Sequence, residues 1–331
     1  MQTREVVFVE TAARLHFGVL DLRGATGRWF GGLGAAAPAP RLLVSAERDE
    51  KVSASGEDAD RAAAFASRYL GEHGIATGAR IVVHRALPPH SGLGSGTQLA
   101  LSVARALAEL HGLSTDARAL ASAVGRARRS AVGTWTFAHG GFVVEGGRLR
   151  ESDGCGPLIA RLCFPESWRC VLAIPEAAQP SMSGAAEEAV FAALPQPSER
   201  EVQKVAHLVL MLMLPALADG DLRAFGSALT EVQQITGRWF ATIQGGAFAN
   251  GRSAELIARM TELGAEGVGQ SSWGPAVYGI VQGDAAATRM ANEIRGATGA
   301  GGCVFQGPFR SQGARVWRAA SHISVMPERP L

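Results

Sequence analysis

An alternating run of glycines and hydroxyl residues, Pro88-Pro89-His90-Ser91-Gly92-Leu93-Gly94-Ser95-Gly96-Thr97-Gln98, leads into a long stretch rich in alanine and leucine. Glycine carries no Cβ, so such a loop can take positive φ and bring its backbone close to a ligand. Successive N–H groups followed by a helix N-terminus attract negative charge. Ser95 and Thr97 add hydroxyl donors, and one of them can instead cap the helix. Gly92, Leu93, Gly94, Ser95, Gly96 and Thr97 are therefore the expected phosphate- or pyrophosphate-binding residues. No Gly-Lys-Ser/Thr follows, so the loop is not a Walker A cradle, and its spacing is not the dinucleotide-binding Gly-x-Gly-x-x-Gly. An ordinary strand-to-helix turn is the competing reading.

Other chemically able residues are spread along the chain. Arg14 and His16 follow an apolar strand and can reach the same anion, although Arg14 also suits a surface ion pair. Arg126 and Arg129 can take a phosphate bidentately, or simply occupy a solvated helix end. Asp21 is a candidate for a sugar hydroxyl or Mg²⁺, with an arginine partner as the alternative. Histidine as a residue type titrates near neutral pH, so His139 is the candidate general acid or base, joined by Arg14 and Arg129 as candidate catalytic groups. A histidine before two glycines is as often structural. Trp135 offers a face to an aromatic substrate or a place in the core. Ser271, Ser272 and Gly274 form a small-residue loop that admits a ligand closely, or else a tight turn between strands.

The elements that must position these groups follow from periodicity and punctuation. Strands are expected at residues 6–13, 41–46 and 79–85, with Gly31-Gly32-Leu33-Gly34 and Pro38-Ala39-Pro40 breaking regular structure between them. Helices are expected at 58–73, at 97–111 closed by Gly112, and at 116–126. Residues 140–150 read as a hairpin about Gly146-Gly147, and 169–174 as a strand. Ser198-Glu199-Arg200-Glu201 is a capping box that opens a long apolar helix towards Asp219. Helices at 221–236, 253–263 and 285–297 and strands at 267–272, 276–281, 302–305 and 314–317 complete an α+β chain. Two lobes are expected, 1–165 with the glycine-rich loop and 166–331 rich in helices.

A chain of 331 residues exceeds what one hydrophobic core usually organises. With 47% hydrophobic and 19% charged residues the composition is globular. The formal net charge is +2, and only Arg126, Arg128 and Arg129 cluster, which falls short of a nucleic-acid-binding stripe. Residues 1–11 lack the long apolar region of a signal peptide, and the longest apolar stretch, 208–218, is short for a bilayer and contains Pro215. The four cysteines (Cys155, Cys163, Cys170 and Cys303) have no C-x-x-C spacing and read as small core residues in a reducing compartment. A cytoplasmic protein acting on small molecules is expected, without nucleic-acid or membrane partners and with a homodimer left open.

The glycine-rich loop resembles the central motif of the GHMP kinase superfamily, Pro-x-x-x-Gly-Leu-Gly-Ser-Ser, with Gly96 in place of the second serine. Ala12-Ala13-Arg14-Leu15-His16-Phe17-Gly18-Val19-Leu20-Asp21 and Gly267-Val268-Gly269-Gln270-Ser271-Ser272-Trp273-Gly274-Pro275 stand where that superfamily carries its first and third motifs. The first of these, with Gly27-Arg28, Phe30-Gly31-Gly32-Leu33-Gly34, Gly125-Arg126, Arg129-Ser130, Gly133-Thr134 and residues 137–147, is similar to the β-ribofuranosylaminobenzene 5′-phosphate synthases over nearly the whole chain. Ala127 and Ala131 depart from that family, which has glycine there. The resemblance implies a two-lobed GHMP-kinase fold, with one lobe like domain 2 of ribosomal protein S5 and the other ferredoxin-like. It implies condensation of phosphoribosyl pyrophosphate with 4-aminobenzoate, release of carbon dioxide and pyrophosphate, and a place in tetrahydromethanopterin biosynthesis. Mg²⁺ is expected to accompany the donor, with no organic cofactor. No Asp or Glu lies between Arg126 and His139, where GHMP kinases generally keep a base. Departure of pyrophosphate needs cations and N–H donors instead. An ATP-dependent small-molecule kinase and a non-catalytic phosphometabolite-binding protein stand as alternatives.

Overall fold

The computed structural model describes residues 5–152, 154–176 and 194–320. Two sheets organise it. The first contains β1 (Glu5–Asp21), β2 (Arg28–Asp49), β3 (Ser53–Gly56), β4 (Gly78–Arg85), β5 (Phe142–Glu145), β6 (Arg148–Leu149), β7 (Leu158–Leu162) and β12 (Arg315–Ala320). Its spatial order is β12-β1-β2-β4-β3, with β5 and β6 also paired to β2 and β7 to β5. Both ends of the described chain thus meet in one sheet. The second contains β8 (Trp168–Ile174), β9 (Gly267–Gln270), β10 (Val277–Gln282) and β11 (Cys303–Gly307) in the order β11-β8-β10-β9, all antiparallel. That order is the ferredoxin-like arrangement, so the two-lobed α+β fold is as expected.

Two expectations about local structure are corrected. β2 does not break at residues 31–34 or 38–40; it runs through both. Gly34 lies so close to β1 that a Cβ there would run into the Leu15 carbonyl, so this glycine serves close packing and not a turn. Pro38 and Pro40 sit at a bulge: Ala12 pairs with Arg41 but Arg14 with Ala36, which takes the prolines out of the ladder where their missing N–H groups cost nothing. The second correction concerns the expected hairpin. β5 and β6 both pair with β2, at Gly32–Ala35 and at Arg28–Trp29, and not with each other.

Against the first sheet lie α1 (Ala59–Glu72), α2 (Ser95–His111) and α4 (Val132–His139), and α3 (Ala117–Ala123) packs on these helices. α2 is the central helix, with its residues from Gln98 to Ala104 buried, and Gln98 ties it to β1 and α4 through Thr11 Oγ1 and the Gly133 carbonyl. α2 begins earlier than its expected start at Thr97, with left-handed Gly94 as N-cap and no side-chain cap.

In the second lobe the Ser198–Glu201 capping box opens α5 (Glu199–Leu208) as expected. A π-helical turn (Val209–Met213) then leads into α6 (Leu214–Asp219). The wider π turn lies just before Pro215, whose ring would clash with an α-helical i−4 carbonyl. By length and composition alone the run Glu199–Asp219, which contains an 18-residue window of mean hydropathy 1.4, is long and apolar enough to cross a membrane; it packs along α7 (Leu222–Trp239). α8 (Ala241–Gln244), α9 (Arg252–Glu262) and α10 (Gly283–Arg295) follow, α9 and α10 covering a second core around Val171, Val268, Met260 and Met290.

Candidate active site

The three motifs noted in the sequence meet at one place. Arg14 donates its backbone N–H to the Leu93 carbonyl at 3.0 Å and its guanidinium Nη1 to the Gly92 carbonyl at 2.9 Å. Ser271 Oγ donates to the Gly92 carbonyl at 2.7 Å and accepts the His16 backbone N–H at 3.0 Å. The Ala276 N–H reaches the Ser91 carbonyl at 3.1 Å. β1, the glycine-rich loop and the 271–276 loop of the second lobe are therefore hydrogen-bonded into one unit. Gly92 and Gly94 take φ of 81° and 72°, the left-handed region that glycine adopts without penalty. On the other side of the α2 N-terminus, Arg61 and Arg126 crowd Gly96. Arg126 also stacks on Phe65 at 4.9 Å, and Arg61 pairs with Asp58 at 3.1 Å.

Beside this junction lies a cavity of ≈ 110 Å³ whose walls come from both lobes. β1 contributes Arg14 and His16; the segment before α4 contributes Arg129 and Ser130; α7 and its continuation contribute Gln233, Thr236, Phe240 and Gln244; the 270–273 loop contributes Gln270, Ser272 and Trp273. Phe30 enters from β2, where φ of 70° at Phe30 and 65° at Gly31 bend the strand. A bulky residue with positive φ is a strained outlier of the kind that clusters at functional sites. Phe240 and Trp273 meet edge to face at 4.9 Å. The cavity thus joins two guanidinium groups to three aromatic rings, and among the described residues its walls contain no Asp or Glu.

His16 Nε2 lies 3.1 Å from Ser130 Oγ. Burial, with a smaller contribution from the Arg14 charge, holds the imidazole well below its ordinary pKa, so it is neutral near neutral pH. Behind this pair is a carboxylate that the sequence did not reveal. Glu145 on β5 is 1% exposed and accepts N–H bonds from Gly147 at 2.8 Å and Ala131 at 3.3 Å. Its Oε1 and His16 Nε2 each lie 3.3 Å from the point where a side chain on Gly32 would begin. Burial pushes the Glu145 carboxyl up to about 7, against the two N–H bonds that pull it down.

The sign of the resulting pH dependence is fixed. Between about 4.5, its ordinary value, and about 7 the folded chain holds the Glu145 proton that the unfolded chain has released. The stability this contributes is full below the ordinary value and is lost as pH rises through about 7. Glu145→Gln removes the titration, so the melting-temperature advantage of the wild type over the variant should shrink from pH 5 to pH 8. Parallel melting curves across that range would show that Glu145 does not titrate there.

The remaining candidates separate clearly. Ser272 lines the cavity, but Ser271 is fully buried and acts as a brace, and Gly274 packs its backbone against Gly92. Asp21 accepts the Arg23 and Gly24 N–H groups at 2.6 and 3.1 Å and closes a turn away from the cavity walls. Trp135 is buried, donates Nε1–H to the Gly156 carbonyl at 2.9 Å and stacks with His139 at 5.8 Å; neither lines the cavity. Among the described residues no group of three or more His, Cys, Asp or Glu could hold a metal ion. The described residues of the cavity wall include no carboxylate either, so these residues by themselves do not fit a protein-held Mg²⁺. Ala127, which stands where the resembling family has glycine, takes φ of 65°.

Of the second-lobe walls, the part supplied by α7 and the segment after it was missed by sequence reasoning. Gln233 donates to the Phe17 carbonyl at 2.6 Å and accepts the Gln270 N–H at 2.8 Å, so one amide spans both lobes. The available signal was a glutamine amid the buried apolar positions Val232 and Ile235 of an amphipathic helix.

Residues 59–141 match the N-terminal domain of the GHMP kinases and residues 213–299 their C-terminal domain. The chain is 37% identical over 295 residues to a beta-ribofuranosylphenol 5′-phosphate synthase of Methanothermobacter thermautotrophicus, covering 83% of this chain and 88% of that protein. It is 37% identical over 294 residues to a protein of the same name from Archaeoglobus fulgidus, covering 84% and 88%. Among solved structures, homoserine kinase from Cytophaga hutchinsonii superposes with a TM-score of 0.65 at 18% identity, covering 94% of this chain and 97% of that one. Mevalonate diphosphate decarboxylase from Staphylococcus aureus also gives 0.65, at 12% identity and 95% and 98% coverage. At such identities these two likenesses concern the fold alone.

Proposed function

This chain belongs to the beta-ribofuranosylphenol 5′-phosphate synthase family of the GHMP kinase superfamily, and from that membership we infer that it transfers a phosphoribosyl group from phosphoribosyl pyrophosphate to the ring of a para-substituted benzoate, releasing pyrophosphate and carbon dioxide. The observation that carries this reading is the make-up of the cavity: arginines beside a glycine-rich loop and three aromatic rings, with no carboxylate among the described residues of its walls.

The donor's pyrophosphate is placed on the N–H groups of the Gly92–Thr97 loop with Arg14 and Arg129. Its 5′-phosphate fits beside Gly96, where Arg61 and Arg126 converge. As the bond from the ribose carbon to pyrophosphate breaks, these groups take up the departing charge without rearranging. The benzoate ring lies against Phe240 and Trp273, its carboxylate-bearing carbon facing the ribose. That carbon attacks, driven by electron release from the para substituent, and carbon dioxide leaves as aromaticity returns. The protein's main task is to position two reactants. The sequence resemblance suggests an amino group as the para substituent, whereas the family name ribofuranosylphenol points to a hydroxyl. In a cell the product would feed methanopterin-type one-carbon carriers, in the cytoplasm.

Carboxyl-labelled 4-hydroxybenzoate and 4-aminobenzoate, each offered with phosphoribosyl pyrophosphate or with ATP, test the assignment. Labelled carbon dioxide should appear only with phosphoribosyl pyrophosphate and in equal amount with pyrophosphate. ADP formation with a sugar or isoprenoid alcohol, or label loss driven by ATP alone, would overturn it.

A further inference from the structure

We propose that His16, acting through the Ser130 hydroxyl, is the base that removes the proton of a phenolic acceptor during the transfer; this rests on the function proposed above. Among the described residues, Arg14, His16 and Arg129 are the ionisable ones in the cavity wall. Guanidinium groups do not give up a proton in proteins, so His16 is the one of the three able to accept one.

The geometry around it suits the task. Ser130 Oγ accepts the Val132 N–H at 3.3 Å, which directs its own proton to His16 Nε2, 3.1 Å away. A lone pair of Ser130 is left for a hydroxyl in the cavity. The His16 main chain is fixed on both sides, its N–H on Ser271 Oγ at 3.0 Å and its carbonyl accepting the Ser272 N–H at 3.4 Å. The charged groups around the imidazole are Arg14 on its own strand, Arg129 in the same wall and Glu145 on β5 across Gly32. Burial and Arg14 keep the ring neutral, which leaves Nε2 without a proton but also lowers its proton affinity in the empty cavity. Binding of an anionic donor and an anionic benzoate offsets the Arg14 charge and makes an imidazolium easier to form.

The chemistry gives this base a purpose that depends on the acceptor. A para amino group releases electrons to the ring without losing a proton, whereas a hydroxyl does so strongly only once ionised. The phenolic proton passes to Ser130 Oγ as the serine's own proton passes to His16 Nε2. The ring carbon bearing the carboxylate forms its bond to the ribose carbon, and pyrophosphate leaves with the electron pair of the bond it breaks. The bond to the carboxylate then breaks, its electron pair restores an aromatic phenolate, and carbon dioxide departs. The phenolate takes the proton back along the same path, leaving His16 and Ser130 as they began.

The test uses the full chain with phosphoribosyl pyrophosphate and three acceptors: 4-hydroxybenzoate, a ring-fluorinated 4-hydroxybenzoate with a more acidic phenol, and 4-aminobenzoate. His16→Gln should lower kcat/KM for 4-hydroxybenzoate by about 100-fold, at the low end of what a general base contributes. The loss should be much smaller for the fluorinated phenol and smallest for 4-aminobenzoate, with donor binding measured by calorimetry nearly unchanged. Ser130→Ala leaves His16 in place and should show the same order of losses at reduced size. An equal loss with all three acceptors, or turnover of 4-aminobenzoate alone by the wild type, would overturn the proposal while the transferase reading stands. No product from the wild type with any acceptor would overturn the transferase reading itself.

Discussion

A Gly92→Ala variant should melt far below the wild type and bind no phosphoribosyl donor. Gly92 has φ of 81°, a conformation that costs an L-residue about 1–2 kcal/mol. Space is the larger obstacle. A Cβ at this position would run into the Ser271 carbonyl oxygen and lie 3.0 Å from that of Gly274. Neither oxygen is at the end of a flexible side chain. Both belong to a loop held by Ser271 N–H to Ala276 at 2.9 Å and Gly274 N–H to Ser271 at 3.0 Å. The clash must therefore part the two lobes or distort the glycine-rich loop, and overpacking of this kind adds about 1–3 kcal/mol. Gly94→Ala is the control. Its φ of 72° carries the same conformational cost, but its Cβ would meet the Arg14 side chain, at an ordinary 3.4 Å from Cδ. Thermal melts and donor calorimetry on both variants check the difference. Equal melting temperatures would show that the Gly92 junction does not hold the lobes together.

The contrast between these two glycines also shows what the sequence could and could not convey. Alternating glycines after a strand and before a helix announce an anion-binding loop because the requirement is local: positive φ and open N–H groups. Nothing local says that Gly92 is pinned by Ser271, 179 residues away in sequence. The same limit separated the two histidines. His16 and His139 are alike as titratable residues, and only the packing puts His16 in the cavity wall and His139 on the face of Trp135. Alternation marked residues 140–150 as a hairpin, but pairing partners are tertiary, so β5 and β6 both joined β2 in place of one another. Glu145 was invisible for a related reason. A carboxylate at the end of an apolar strand reads as an exposed strand end, and its burial beside His16 depends on Gly32 leaving room for both.

Removing both arginines of the cavity wall should abolish donor binding. Arg129→Ala alone should weaken phosphoribosyl pyrophosphate by about 1.5–3 kcal/mol, the scale of a hydrogen bond to a charged group, or roughly ten- to a hundredfold in Kd. Arg14→Ala should cost at least as much, because Arg14 also holds the Gly92 carbonyl through Nη1 at 2.9 Å and so shapes the loop that meets the anion. The two side chains face one ligand across one cavity, so their effects should couple and the double variant should fall short of the sum. Salt gives an independent readout. Raising ionic strength should weaken the wild type's affinity for the donor and change that of the double variant little, since most of the screened attraction is already gone. Affinity for the benzoate, measured in the absence of donor, should fall less than affinity for the donor, because Phe240 and Trp273 remain. A double variant that binds the donor like the wild type would place the pyrophosphate elsewhere and remove the basis for assigning this cavity to phosphoribosyl transfer.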